Sequence, residues 1–154
     1  MKKQTISIKD LSIIENELTS SDAGVIAFSD EDENVRQIAI NYIYKDKNIF
    51  FFLFSSDDVQ EKIRFGSRVC FTVFKAGRAD GTSASGQKDY HTIFSVSLYG
   101  ILKEVDDEKL VNEVLIGFGK KYFEDASLLQ RKTFSGGKVV MIDSEEIQAV
   151  EEII

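Results

Sequence analysis

The chain has 154 residues, of which 43% are hydrophobic and 29% charged, and its formal net charge is −7. This length predicts one globular domain, and the negative charge argues against nucleic acid or an anionic membrane surface as a partner. The longest unbroken apolar run, Ile49–Phe54, is too short to span a membrane, and the single cysteine, Cys70, fits a reducing compartment, so we expect a cytoplasmic location.

The first third of the chain predicts a helix followed by short strands. Ser7 to about Ser20 carries apolar residues at helical spacing behind a capping box, which predicts a helix with one apolar face. Three strands are predicted next, at 24–29, 36–44 and 49–54, with turns at 30–34 and 45–48. We interpret the charged turn 30–34 as a solvated hairpin tip, because a calcium loop needs alternating oxygen ligands and flanking helices.

The remainder of the chain predicts further strands and helices. A short helix is predicted from Ser55 to about Phe65, ended by Gly66 in a left-handed conformation. The later predicted elements are strands at 68–75, 90–104 and 138–143, a Gly/Ser-rich loop at 76–89, a helix at about 107–122 capped by Asp107, a looser stretch at 127–137 and a helical acidic tail. Gly100 predicts a bulge in its strand. Short turns between consecutive strands favour antiparallel pairing, so the order predicts one mainly β domain over 1–154, an antiparallel barrel flanked by helices.

The strand at 49–54 is apolar on both faces. Side chains alternate along a strand, so one set is Ile49, Phe51 and Leu53 and the opposite set is Phe50, Phe52 and Phe54. One set can fill a barrel, and the other needs a helix or a second subunit to cover it. Our hypothesis is that a homodimer buries the second set.

Other chemistry-bearing residues give weak signals. His91 is the only histidine, and we interpret it as a partly exposed strand residue rather than a catalytic group. One histidine and one cysteine make a zinc site improbable, and Cys70 lies in an apolar strand as a small buried hydrophobe would. The run from Ser135 to Lys138 lacks the spacing of a phosphate-binding loop. No catalytic side chain and no metal ligand is therefore predicted.

Five segments follow one another in a characteristic order along the chain. They are Asn41-Tyr42-Ile43-Tyr44, the Phe-rich strand, a short helix ending in Lys62-Ile63-Arg64, the strand Arg68-Val69-Cys70-Phe71, and Tyr90-His91-Thr92-Ile93. This ordered set resembles the pyridoxamine-phosphate-oxidase-like split barrels, nearest their nitroimidazole-resistance (Nim) branch. The similarity runs from about Ile8 to Tyr122. None of these pieces is specific alone, and their order carries the resemblance.

This resemblance implies an FMN-binding split barrel, with the flavin at the interface of a homodimer and redox chemistry carried by the cofactor. By position, Asn41 and Tyr42 would line the isoalloxazine ring. The residues that would follow the ribityl chain are Phe52, Leu53, Phe54 and Ser55. The start of the short helix, with Val59 and then Lys62, would hold the phosphate, because helix N-termini attract anions.

The helix head departs from the family pattern. Relatives place Gly-Arg-Lys where this chain has Asp57-Asp58-Val59, and the Nim-type histidine is Phe52 here. Two anions in place of two cations weaken the attraction for a phosphate, and Lys62 can pair with Asp58. The cations that could compensate are Arg64, Arg78 and Lys88. Two functions therefore remain open: a flavin-dependent oxidoreductase, or a non-enzymatic binding module that has lost or altered flavin binding.

Overall fold

The computed structural model describes residues 3–54, 62–80, 89–124 and 137–154. Within these ranges the chain forms eight strands and two helices. The strands are β1 (Gln4–Ile8), β2 (Gly24–Ser29), β3 (Val35–Ile40), β4 (Ile43–Lys45), β5 (Asn48–Phe54), β6 (Arg68–Asp80), β7 (Asp89–Glu104) and β8 (Gly137–Ile153). The helices are α1 (Leu11–Ser20) and α2 (Glu108–Tyr122).

The strands form one antiparallel sheet in the order β3-β2-β6-β7-β8-β5-β4, with β1 added beside β8. The strands at the two ends of this order, β3 and β4, are separated in the chain only by Asn41 and Tyr42. The covalent chain thus links the two ends of the sheet and closes it into a barrel. The predicted mainly β fold, an antiparallel barrel with flanking helices, is confirmed.

Two apolar clusters stabilise this arrangement. The larger one fills the barrel, and α1 covers one end of it with Ile14 and Leu18. The smaller one lies between β5 and α2, where Phe50 packs with Val114 and Phe118. Full burial of a side chain of this size contributes about 1.5–3 kcal/mol, so both clusters are major contributors to the fold.

The two faces of β5 go to these two clusters. Ile49, Phe51 and Leu53, which share one face as their alternation predicts, are the set buried in the barrel. On the other face, Phe50 and Phe52 pack under α2, whereas Phe54 is 42% exposed. The sequence left open whether a helix or a second subunit covers this face, and in the structure helix α2 covers two of its three phenylalanines. A partner subunit is therefore not needed to bury Phe50 or Phe52.

Both ends of the chain differ from expectation. The predicted helix from Ser7 begins at Leu11 instead, with Asp10 as its cap: the Asp10 carboxylate accepts a hydrogen bond from the Ser12 N–H at 2.9 Å. The segment before it is the strand β1, and the acidic tail, predicted as a helix, is the second half of β8. These two segments pair with each other, from Gln4↔Ile153 to Ile8↔Ala149. Long-range pairing therefore overrides the local helical signals.

Several internal boundaries also shift. The strand predicted at 36–44 is divided into β3 and β4, and β6 continues to Asp80 instead of ending at Lys75. Gly66 has a φ of 81°, the predicted left-handed conformation, and the register shift between Tyr99 and Gly100 confirms the predicted bulge. The predicted short helix falls largely on 55–61, the loop largely on 81–88 and the looser stretch largely on 125–136, all outside the described residues.

Candidate functional site

The β3–β4 junction, Asn41 and Tyr42, carries the first two predicted site residues. The Asn41 side chain is exposed, and its Nδ2 donates to the Asp22 carbonyl oxygen at 3.3 Å. The Tyr42 side chain is fully buried, with its hydroxyl donating to the Leu18 carbonyl oxygen at 2.5 Å and its ring edge-on to Phe71 at 4.6 Å. The Tyr42 side chain therefore belongs to the barrel core and does not face a ligand.

The last turn of α2 holds this junction from outside. The Tyr122 hydroxyl accepts from the Tyr42 N–H at 3.0 Å, and it lies 2.6 Å from the Asp22 carbonyl oxygen and 2.9 Å from that of Tyr42, to one of which it donates. Lys121 Nζ donates to the Tyr42 carbonyl oxygen at 3.0 Å and lies 4.0 Å from the centre of the Tyr42 ring. Both peptide groups flanking Tyr42 are thereby fixed by α2.

Burial changes the proton affinity of these two side chains. Loss of solvent lowers the pKa of Lys121 to about 8, because the charged ammonium is the form that burial penalises. The same cause raises the pKa of Tyr122, so its hydroxyl stays protonated at neutral pH. The Tyr122 hydroxyl therefore acts as both donor and acceptor at the junction.

The predicted β5 residues divide between two sides of the strand. Phe52 packs on Phe118 with ring centres 4.3 Å apart, and Phe118 packs on Tyr122 at 5.4 Å. A continuous set of contacts therefore joins Phe52 to the β3–β4 junction through α2. Phe54 is exposed, with its ring 6.5 Å from that of Phe52, while Leu53 points into the barrel core. The structure thus brings Asn41, Tyr42 and Phe52 to one helix end and turns Leu53 away.

The residues predicted to bind the flavin phosphate are only partly within the described ranges. Ser55 and Val59 lie outside the described residues, as do Asp57 and Asp58, and Lys62 is exposed. Of the compensating cations, Arg78 is exposed on β6, and Lys88 lies outside the described ranges.

Arg64 is the compensating cation that the structure ties to a specific neighbour, because its guanidinium donates to the Asp30 carbonyl oxygen at 3.3 Å. A second arginine, Arg36, binds the carboxylate of the same residue at 2.9 Å. Two guanidinium groups thus lie together at the β2–β3 turn.

The turn itself differs from the predicted solvated tip. Asp30 is only 2% exposed, and its carboxylate accepts from the main-chain N–H groups of Asp32 and Asn34 at 2.9 and 3.0 Å as well as from Arg36. The hydrogen bond from Arg36 holds the pKa of this carboxyl below its usual range. The other acidic residues of the turn are exposed, as predicted.

The remaining candidates take structural positions. His91 is exposed and exchanges main-chain hydrogen bonds with Ile154. Cys70 was expected in the core, but it is half-buried on the outward face of β6, with its Sγ 3.8 Å from the Thr72 hydroxyl. Across the described ranges, no group of three or more His, Cys, Asp or Glu side chains is placed to hold a metal ion. None of the described helices has the length and apolar character needed to cross a bilayer.

Sequence reasoning missed Lys121, Tyr122 and Arg36. Phe118 and Tyr122 stand four residues apart on the apolar face of α2, a spacing that does indicate a shared contact. The hydrogen bond between Tyr42 and Tyr122, however, joins positions 80 residues apart in the chain, and no local sequence pattern indicates such a pairing. For Arg36, the only signal was an acidic turn followed by a basic strand residue.

Comparison with known proteins identifies the fold. The family described as pyridoxamine 5'-phosphate oxidase matches residues 12–151. A candidate 5-nitroimidazole antibiotic resistance protein from Bacteroides thetaiotaomicron has a TM-score of 0.84 and 16% identity, over 99% of this chain and 90% of that one. No curated protein sequence matches the chain.

Two further solved structures are FAD-binding proteins. One from Mesorhizobium loti has a TM-score of 0.66 and 18% identity, over 98% of this chain and 99% of that one. One from Mycobacterium smegmatis has a TM-score of 0.63 and 16% identity, over 94% and 95%. Identities this low establish a shared fold and nothing finer. Since the family match extends from the first turn of α1 almost to the end of β8, the chain belongs to the pyridoxamine 5'-phosphate oxidase family and has its split-barrel fold.

Proposed function

We propose that this chain is a flavin-binding protein that holds FMN beside the β3–β4 junction and uses it as an oxidoreductase. The observation that carries the proposal is the junction itself, where an exposed Asn41 carboxamide sits on a backbone fixed by Tyr122 and Lys121. The family membership and the FAD-binding neighbours support the same ligand class. Fixed polar groups of this kind are what an oriented ligand requires.

The described residues fit the ring end of a flavin by their chemistry. The Asn41 carboxamide offers both a donor and an acceptor, which suits the polar edge of an isoalloxazine ring. Phe54, 42% exposed at the end of β5, offers an aromatic surface. When bound, the flavin would supply the electron transfer, and these residues would bind and orient it. Tyr42 and Leu53 are buried, so they would support the neighbouring Asn41 and Phe54 and would not touch the flavin themselves.

The phosphate end allows a second candidate function. Asp57 and Asp58 replace the cations of related proteins, and among the described cations Arg36 is already paired with Asp30. Arg64 bonds only a carbonyl oxygen among its described contacts, so its charge is the better placed to meet an anion. A binding module for an uncharged ring, without redox activity, is the function that the two aspartates favour.

We also propose that the functional form is a homodimer, across a different face from the one first expected. The outward face of β2, β6 and β7 is uncharged along its centre, where its members include Val25, Ala27, Cys70, Thr72, Phe74, Ser95 and Ser97. Phe74 is 63% exposed there, and Ile93 on the same face is 39% exposed. An uncharged surface with large exposed apolar groups is typical of a protein interface.

The ligand test compares three flavins. The chain is purified without flavin and titrated with FMN, riboflavin and FAD, following the quenching of flavin fluorescence. We expect saturable FMN binding with a Kd of about 10 μM or tighter. Asn41→Ala should weaken FMN binding at least tenfold, while Asn112→Ala, an exposed asparagine on α2, should leave it unchanged. No saturable binding of any flavin at about 100 μM would refute the proposal.

The outcome also separates the two functions. If FMN binds more tightly than riboflavin and is reduced by NADH or NADPH without oxygen, the oxidoreductase is supported. If riboflavin binds as well as FMN and neither nucleotide reduces it, the binding module is supported.

Light scattering of Phe74→Glu, compared with the matched exposed position Ile116→Glu on α2, tests the dimer. We expect only Phe74→Glu to be monomeric, and an unchanged mass would refute the interface.

A further inference from the structure

A cavity of about 510 Å³ lies between β1, the first turn of α1 and β8. Its walls are largely apolar and include Ile8, Leu11, Ile14 and Ile147. The residues predicted to bind flavin do not line it. Its volume is within the usual range for small-molecule pockets, about 300–1,000 Å³. The cavity is therefore a feature separate from the β3–β4 junction.

The cavity lies at a gap in the sheet. Along one edge, β8 pairs with β5 as far as Ile142 and with β1 only from Ala149 onward. At this edge the Ser144 N–H is bonded by the Asn48 side chain, at 3.0 Å. On this edge of β8, the positions after Ser144 up to Gln148 have no strand beside them in the described part of the chain, although β7 pairs with the opposite edge. A short piece of strand edge is thereby left open.

The pairing register shows which main-chain groups face the gap. Ile154 exchanges both main-chain hydrogen bonds with His91, and the register with β7 is unbroken from Glu146 to Ile153. Because consecutive residues of a strand turn their N–H and C=O to opposite sides, Gln148 faces β7 and Ile147 faces the gap. No described residue bonds the Ile147 main chain on that side. Among the described residues, the Ile147 N–H and C=O are therefore one main-chain donor and one acceptor that face the cavity without a partner.

The charge of the lining is opposite to that of the whole chain. Of the nine residues that form it, all described, one is basic, Lys9, and none is acidic, although the chain has a net charge of −7. An N–H donor and an ammonium group bind a carboxylate through charge-assisted hydrogen bonds, and the apolar walls accept a hydrocarbon body. Leu11, 48% exposed at the mouth, can cover such a body.

We propose that this cavity binds a small apolar carboxylate, whose hydrocarbon part lies against the isoleucines and whose acid group meets Lys9 and the Ile147 N–H. This binding requires neither flavin nor redox chemistry. The probe is octanoate, added to the ¹⁵N-labelled full chain and followed by two-dimensional NMR. We expect saturable shifts at the amides of Ile147, Ala149 and Lys9, with 1-octanol binding at least tenfold more weakly.

A pair of variants tests the role of the charge. Lys9→Gln and Lys3→Gln each remove one exposed positive charge from the N-terminal segment, but only Lys9 lines the cavity. We expect Lys9→Gln to weaken octanoate binding at least fivefold and Lys3→Gln to leave it unchanged. Absence of saturable shifts at about 10 mM octanoate, shifts at other amides, or an equal loss in both variants would each overturn the proposal. The first of these results would also mean that the gap is filled by another part of the chain or by a second copy.

Discussion

Replacing Tyr122 by phenylalanine tests whether α2 fixes the β3–β4 junction. The change keeps the ring that packs on Phe118 and removes only the hydroxyl, which accepts from the Tyr42 N–H and lies within bonding distance of the Asp22 and Tyr42 carbonyl oxygens. Packing is therefore nearly unchanged, and the effect reports the hydrogen bonds.

The magnitude follows from what the hydroxyl leaves behind. The lost donor bond to a carbonyl costs about 0.5–1.5 kcal/mol, and a buried N–H left without a partner costs about 1–3 kcal/mol. Since Tyr42 is fully buried, water has little access to its N–H. We expect Tyr122→Phe to lower the free energy of unfolding by about 2–4 kcal/mol, which for a chain of this length lowers the Tm by about 5–10 °C.

Urea unfolding at fixed protein concentration measures this loss, and Tyr44→Phe is the matched control. The Tyr44 hydroxyl donates one hydrogen bond to the Glu15 carboxylate, at 2.9 Å, in a less buried position. Because the acceptor is charged but the position is less buried, the control should cost about 1.5 kcal/mol, the lower end of the range for such bonds. If Tyr122→Phe costs no more than Tyr44→Phe, then α2 does not fix the junction, and our account of the site is wrong.

Three further predictions concern charge. In the folded chain, Arg36 holds the pKa of the Asp30 carboxyl below the unfolded value of 3.8. The stabilisation that ionised Asp30 contributes is therefore fully present above pH 3.8 and is lost as the pH falls through the lower folded pKa. In urea unfolding, Asp30→Asn should lose less stability in acid than the parent chain does. Burial lowers the pKa of Lys121 from 10.5 to about 8, so stability should rise between those pH values, and in Lys121→Met this rise should be smaller. Asp58→Arg combined with Val59→Lys should tighten FMN binding at least tenfold and leave riboflavin binding unchanged; equal affinities for FMN before and after would mean that the phosphate lies elsewhere.

Local patterns were enough to predict the barrel and its inner face. The alternation in Ile49–Phe54 correctly grouped Ile49, Phe51 and Leu53 on one face, because period two is a property of the strand itself, and the structure shows that this is the face that fills the barrel. Asp107 was correctly predicted as the cap of α2, and its carboxylate accepts from the Leu110 N–H at 2.8 Å. Such signals depend on residues a few positions apart, so a single sequence contains them.

The errors arise where distant segments decide the outcome. The acidic tail was predicted as a helix, but in the fold it gains β7 and β1 as neighbours and is a strand. The Asp30 turn was assigned to solvent because Arg36 and Arg64 could not be placed beside it. The candidate site is affected most, since Asn41 and Tyr42 were identified by resemblance while their supports, Tyr122 and Lys121, come from the far end of α2.

Helix α2 links the stability of the barrel to the geometry of the candidate site. Its apolar face covers Phe50 and Phe52, which closes the second cluster, and its last turn holds Asn41 and Tyr42 through Tyr122 and Lys121. The junction is also the covalent link between the two end strands of the sheet. A change that loosens α2 must therefore loosen the barrel closure and the exposed Asn41 carboxamide together. A ligand that binds this carboxamide should in turn stabilise the whole barrel, because it binds only the state in which α2 is docked.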